Sequence, residues 1–210
     1  MSLIVTLDPD KPDANLLKKG ITAIRSGETV AFPTETFYAV GVSAYREEAI
    51  RKVFAIKGRE DNKPLPLIIE GKTMLEKVAL EIPEVAHILI QEFWPGGLTL
   101  IFKASPRVPP ILTAHTGTIA VRDSSHLLAR LLVAGAQVPI TATSANLSGN
   151  TSCSSAEEVE KQLGGVIDLI LDGGTTEGLL PSTILDLTKR PPRIVREGII
   201  GSELLQPFIE

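Results

Sequence analysis

Residues 30–64 limit what this chain can fold into. They begin with Val30-Ala31-Phe32, a short apolar run suited to a buried strand, and break at Pro33 into Thr34-Glu35-Thr36. Ala49, Ile50, Val53 and Phe54 then recur at helical spacing, and Gly58 stands where a helix C-cap is expected. Lys57, Arg59 and Lys63 crowd the end of that helix. Strand, polar turn, amphipathic helix and cation cluster, in this order, predict a place for an anionic ligand beside a hydroxyl-lined pocket. The rest of the chain is expected to supply the other walls.

Before this stretch, Pro12-Asp13 reads as a helix start with Asp13 as N-cap, and Gly27 as its stop. After it, residues 65–69 suit a strand and residues 74–80 a short helix. A clearer helix opens at Pro83 and ends at Trp94-Pro95-Gly96-Gly97. Strands are expected at 98–102 and 118–122, then a helix ending at Gly135, then a strand at 140–143 that runs into Ser144-Ala145-Asn146. Residues 150–155 are small and polar, the composition of a mobile loop. Ser155-Ala156-Glu157-Glu158 matches a capping box for the next helix. Strands at 166–171, 183–187 and 193–195 and a helix from Ser202 complete the pattern. Several strand pairs have no helix between them, so the prediction is one α/β domain over residues 1–210 with a twisted mixed parallel and antiparallel sheet flanked by helices.

The 210 residues are 43% apolar and 22% charged, enough for one sizeable core. Aromatic residues make up only 4%, so Leu, Ile and Val must build that core. A net charge of −4 argues against a dedicated nucleic-acid binder with a basic surface. The one cysteine, Cys153, excludes an internal disulfide and fits a reducing compartment. The first ten residues alternate like a strand without the cationic start of a signal peptide, and no apolar run approaches the ~18 residues of a membrane span. The expectation is a cytoplasmic protein with no membrane partner.

Some familiar signatures fail. Gly71-Lys72-Thr73 resembles the end of a P-loop, but Pro66 stands where the first glycine belongs. His87, His115 and His126 lack ligand spacing, so no metal site is expected. What remains is ambiguous residue by residue. Lys57 can serve an anion or complement the negative end of its helix. Arg122 can be a ligand-binding cation or a surface charge at a strand mouth, and Arg196 can simply pair with Glu197. Thr34, Thr36, Ser144 and Asn146 can be ordinary turn residues.

Taken together, these residues form a pattern. PTETFYAVG, KGREDNKP, IAVRDS, TSANLSG, PSTILD and VREG occur in an order and at spacings that resemble the YrdC-like threonylcarbamoyl-AMP synthases. The chain departs from that pattern at Ala39, where glycine is usual, and at Thr143, where proline is frequent. Its length resembles the short, single-domain form.

The resemblance implies a YrdC-like fold with a large concave cationic cavity. It implies a nucleotidyltransferase that joins L-threonine, bicarbonate (or CO2) and ATP into threonylcarbamoyl-adenylate and releases pyrophosphate. A separate transferase complex would then modify the adenosine beside the tRNA anticodon. By position, Lys57 and Arg59 would be catalytic. Lys57, Arg59, Lys63, Thr118, Ser144, Asn146, Ser152 and Arg196 would bind ATP, and Thr34, Arg122, Ala142 and Ser182 would bind threonine. Magnesium would be held mainly by the ATP phosphates. The alternative implied by the same fold is a non-catalytic module that binds double-stranded RNA or tRNA.

Overall fold

Asp13 caps the first helix as its position predicts: its carboxylate accepts from the Asn15 and Leu16 N–H groups, and α1 (Ala14–Ser26) ends at Gly27. The structure, a computed structural model, describes residues 2–58 and 63–209. The next helix, α2 (Glu47–Lys57), buries Ala49, Ile50, Val53 and Phe54 and ends at Gly58.

The described residues form two mixed sheets, not the one expected from the sequence, because the chain crosses from one to the other at Ala142. The first runs in the order β1 (Leu3–Thr6), β10 (Leu169–Asp172), β2 (Val30–Phe32), β3 (Ala39–Gly41) and β9 (Thr143–Ser144). Its first three strands are parallel and its last two pairings antiparallel. The second has the order β12 (Arg193–Arg196), β11 (Thr183–Asp186), β6 (Leu98–Ala104), β7 (Thr118–Asp123), β4 (Leu67–Ile69) and β8 (Ile140–Thr141). A short β5 (Ala79–Leu80) pairs with β6. Helices α3 (Gly71–Val78), α4 (Glu84–Phe93), α5 (Leu127–Ala136), α6 (Ala156–Leu163) and α7 (Ser202–Ile209) complete the chain. The core is aliphatic, as the scarcity of aromatics requires. Ile24, Leu65, Leu67, Ile68, Ile69, Leu89 and Leu98 have no solvent exposure, each contributing roughly 1.5–3 kcal/mol through burial.

Several local expectations change in the folded chain: Ala39–Gly41 is a strand that the sequence does not announce, and Ala79–Leu80, expected as the end of a helix, are strand β5. Helix α3 starts at Gly71, earlier than its apolar residues suggest, because the Asp123 carboxylate accepts from the Gly71 N–H at 3.0 Å across 52 positions. Helix α5 does not stop at Gly135. It runs on to Ala136, and Gln137 takes the left-handed conformation. Gly135 is there for contact: a Cβ on it would lie 2.3 Å from Ile21 Cδ1 of α1. Residues 140–143 are not one strand. The Ala142 N–H donates to the Pro66 carbonyl at 2.8 Å, leaving β8 in the second sheet and β9 in the first.

That crossing is close-packed. The Thr141 N–H donates to the Val42 carbonyl, and Thr141 Oγ1 accepts from the Val42 N–H. A Cβ on Gly41 would sit 2.4 Å from the Thr141 carbonyl oxygen and 2.5 Å from Ile140 Cγ2. Gly41→Ala must therefore push the sheets apart. Overpacking of this kind costs about 1–3 kcal/mol, so urea denaturation should show a lower midpoint at unchanged slope. A midpoint equal to wild type would refute the close approach.

Candidate functional site

The place where the chain crosses between sheets is hollow. A cavity of about 380 Å³ is lined by Thr34, Thr36, Phe37 and Tyr38 of the β2–β3 connection and Ala39 of the first sheet, and from the second sheet by Leu67, Ile68, Thr99, Ile101, Ala120 and Arg122. Pro64, Pro66, Ala142, Thr143, Ser144 and Ser152 close one side; Pro181, Ser182, Ile184, Val195 and Arg196 close the other. Two of these residues are cationic and none is acidic.

The turn after β2 gathers hydroxyls by bonding to itself. Thr34 Oγ1 donates to the Phe37 carbonyl at 2.7 Å and accepts from the Thr36 N–H at 3.2 Å, and the two threonine Oγ1 atoms lie 3.0 Å apart. Thr34 is buried by this arrangement yet lines the cavity.

Arg122 enters from β7 and is 7% exposed. Its Nη1 donates to Glu35 Oε1, while Ser124 Oγ donates to Glu35 Oε2. Thus Glu35 holds one edge of the guanidinium; Nε and Nη2 have no partner among the described residues. Burial acts against the guanidinium charge, and the Glu35 carboxylate opposes that effect.

Arg196 takes a different partner. Its Nε and Nη2 donate to the Ser182 carbonyl at 3.0 and 2.7 Å, and Nη2 also reaches Ser182 Oγ at 2.9 Å. Ser182 Oγ is in turn 2.8 Å from Thr99 Oγ1. Ser182, expected on the threonine side, and Arg196, expected on the nucleotide side, are bonded to each other. The simpler pairing of Arg196 with Glu197 does not form. Desolvation, and less strongly the charge of Arg122, lower the Arg196 pKa.

Lys57 is 3% exposed, and its ammonium points under the Ser-Ala-Asn turn. It donates to the carbonyls of Ser144 at 2.5 Å and Asn146 at 2.8 Å, so its charge holds the turn that forms one wall. Asn146 donates through Nδ2 to the Leu147 and Asn150 carbonyls, and its buried Oδ1 has no partner among the described residues. The structure brings Thr34, Arg122, Ala142, Ser144, Ser152, Ser182 and Arg196 together around the cavity. Lys57 and Asn146 stand behind that wall. Lys63 is exposed, and Thr118 pairs with Lys103 toward the start of β7, beyond the lining. Arg59 lies outside the described residues.

Sequence reasoning missed Glu35, Thr99 and Ser124 as members of the site. Glu35 had a signal, a carboxylate between two threonines in an otherwise apolar stretch. Thr99 and Ser124 had none.

The loop at residues 150–155 is fastened at its middle. Cys153 is fully buried, and its carbonyl accepts from the Tyr38 N–H at 2.9 Å. Gln162 of α6 accepts from the Leu147 N–H and Asn150 Nδ2, and donates to the Thr151 carbonyl and Cys153 Sγ. The capping box is shifted by one residue: Ser155 Oγ accepts from the Glu158 N–H, but Glu158 reaches back to Ser154.

The sequence profile of the Sua5/YciO/YrdC family, described as telomere recombination, matches residues 22–198. A threonylcarbamoyl-AMP synthase from Pyrococcus abyssi is 42% identical over 186 residues, 89% of this chain and 55% of that protein. The chain thus spans about half the length of that relative. One from Vibrio vulnificus is 36% identical over 185 residues, 87% of this chain and 98% of that protein. The crystal structure of P. abyssi Sua5 complexed with L-threonine matches with a TM-score of 0.96 at 38% identity, covering 99% of this chain and 61% of that one.

The buried cysteine generates a prediction. Burial, reinforced by Glu158 and countered by Lys57, raises the Cys153 thiol from 9.0 to about 11. A thiol whose folded pKa is raised stabilises the fold fully below pH 9, and that contribution is lost as pH climbs toward 11. Native Cys153 should therefore resist iodoacetamide at pH 8 and react at least tenfold faster once unfolded in urea. Equal rates in the two states would show that the loop is open.

Proposed function

The chain belongs to the Sua5/YciO/YrdC family, and from that premise we propose that it is a nucleotidyltransferase making threonylcarbamoyl-adenylate from L-threonine, bicarbonate (or CO2) and ATP. One observation carries this reading: a cavity of ligand-binding size whose lining, among the described residues, has two guanidiniums, several hydroxyls and no carboxylate. Such a lining suits two anionic substrates held side by side.

The chemistry asks for positioning. The threonine amine adds to CO2, forming a C–N bond and losing a proton. A carbamate oxygen then attacks the α-phosphorus of ATP, the bond from that phosphorus to the bridging oxygen breaks, and pyrophosphate leaves. No covalent link to the protein is required, so cations and hydrogen-bond donors that orient the reactants supply the catalysis. In this reading the Nε and Nη2 edge of Arg122 takes the threonine carboxylate as a bidentate pair. Thr34, Ala142 and Ser182 enclose the amino acid. Arg196, Ser144 and Ser152 face the nucleotide, Asn146 supports that wall from behind, and Arg59, Lys63 and Thr118 are expected on the same side. Lys57 acts on the nucleotide through the turn it holds.

The described residues do not form a magnesium site of their own. Among the described residues, none in the lining carries a carboxylate, and no three His, Cys, Asp or Glu side chains gather. Magnesium enters this reading as part of the ATP substrate, and the threonylcarbamoyl group passes afterwards to a transferase complex acting on tRNA. Among the described residues, no helix is long and apolar enough to cross a membrane.

The direct test is pyrophosphate release from ATP, with threonine and bicarbonate omitted in turn. Release should require both. Release that continues without threonine would sink the proposal. Serine, smaller by one methyl group, should work roughly 10- to 200-fold less efficiently.

A second test separates the two arginines. Arg122→Ala should chiefly raise the KM for threonine, since the carboxylate it grips does not react. A buried charge-assisted contact of this kind is worth about 2–5 kcal/mol. Should the same variant lose ATP affinity while keeping its threonine KM, the two roles are exchanged.

A further inference from the structure

Two guanidiniums face one cavity, and the fold surrounds them differently. Arg122 carries a counter-charge: Glu35 binds its Nη1 and is itself fixed by Ser124, which has no solvent exposure. Arg196 has only neutral partners, the carbonyl and hydroxyl of Ser182, and among the described residues it forms no ion pair. The charges acting on them differ in sign. Glu35 favours the charged form of Arg122, whereas the charge acting on Arg196 is the unfavourable one of Arg122.

This asymmetry has a consequence for anions. An arginine paired with a carboxylate presents hydrogen-bond geometry with little net field. A singly charged carboxylate can dock on Nε and Nη2 and meets one unit of repulsion from Glu35. A pyrophosphate or triphosphate in the same place meets that repulsion several times over, because the energy scales with the product of charges. At Arg196 the described residues place no such counter-charge.

We propose that Glu35 sorts the two anions that share this cavity: it reserves Arg122 for a singly charged carboxylate and leaves Arg196 to the polyphosphate. The identity of those anions, an α-carboxylate and a triphosphate, rests on the function proposed above. The sorting itself is a property of the charges. It makes Glu35 a specificity-determining residue that acts through Arg122.

A purely structural Glu35 would behave differently under one substitution. Glu35→Gln keeps an oxygen to accept from Arg122 and an amide that can donate to Ser124 Oγ, and removes only the charge. The probe is inorganic pyrophosphate, titrated calorimetrically into the intact chain with and without saturating threonine. Wild type should bind pyrophosphate equally in both conditions. Glu35→Gln should bind it on the order of 10-fold more tightly, and threonine should now weaken that binding because both anions seek Arg122. The double variant Glu35→Gln, Arg122→Gln exchanges one neutral pair for another and should return to the wild-type affinity.

Unchanged pyrophosphate affinity in a folded Glu35→Gln protein would overturn the proposal, as would a gain that survives in the double variant. So would an absence of pyrophosphate binding in both wild type and Glu35→Gln. If Glu35→Gln does not fold, the wild-type arm still decides: threonine that displaces pyrophosphate from wild type contradicts the sorting. These titrations need no turnover. Failure of the enzymatic reading would appear instead in the pyrophosphate-release assay.

Discussion

At Ala142 the chain leaves one sheet and enters the other, and the cavity exists because of that step. The Ala142 N–H is spent on Pro66, outside either ladder, so the residues on its two sides can serve different sheets. Gly41 permits the close crossing, since any side chain would collide with the Thr141 carbonyl. Two sheets meeting this way diverge on one side, and residues from both line the opening. The Thr-Glu-Thr turn follows β2, Arg122 lies near the end of β7, and the Ser-Ala-Asn turn extends the crossing strand itself. Each of these three parts of the lining therefore stands on or beside a strand whose register is set by the ladder.

The charges around the opening obey the rule that a buried ion needs a partner. Lys57 is almost wholly buried and donates to the turn carbonyls of Ser144 and Asn146. Arg122 is equally buried and has Glu35. Removing either partner alone would leave an uncompensated charge in a dry place, which costs far more than the pair contributes. These contacts hold the geometry of the walls, and their contribution to net stability is smaller. The same low-dielectric setting strengthens the attraction of the remaining guanidinium donors for an anion.

The contrast between Asp13 and Glu35 shows how far local sequence reaches. Asp13 caps α1 through N–H groups two and three residues ahead, so its neighbours alone suffice to recognise it. Gly27, Gly58 and Ser155 likewise act within one turn of their own helices. Glu35 meets Arg122 across 87 positions, and Asp123 starts α3 from 52 positions away. Spacing along the chain carries no information about either meeting. Gly135 illustrates the opposite error: a glycine near a helix end looks like a cap, but contact with Ile21 in another helix explains it.

Propensity and periodicity were sufficient for most element types, the aliphatic core, the mixture of parallel and antiparallel strands and the motifs that mark the family, but not for β3, β5 or the division into two sheets. The two-sheet crossing, the pairing of Arg196 with Ser182 and the burial of Lys57 beneath the Ser-Ala-Asn turn depend on topology. A lysine at a helix end looks the same in sequence whether its ammonium meets water, a ligand or a backbone carbonyl. Here the fold brings the Ser144 and Asn146 carbonyls to it, and desolvation then leaves the ammonium no cheaper place to be.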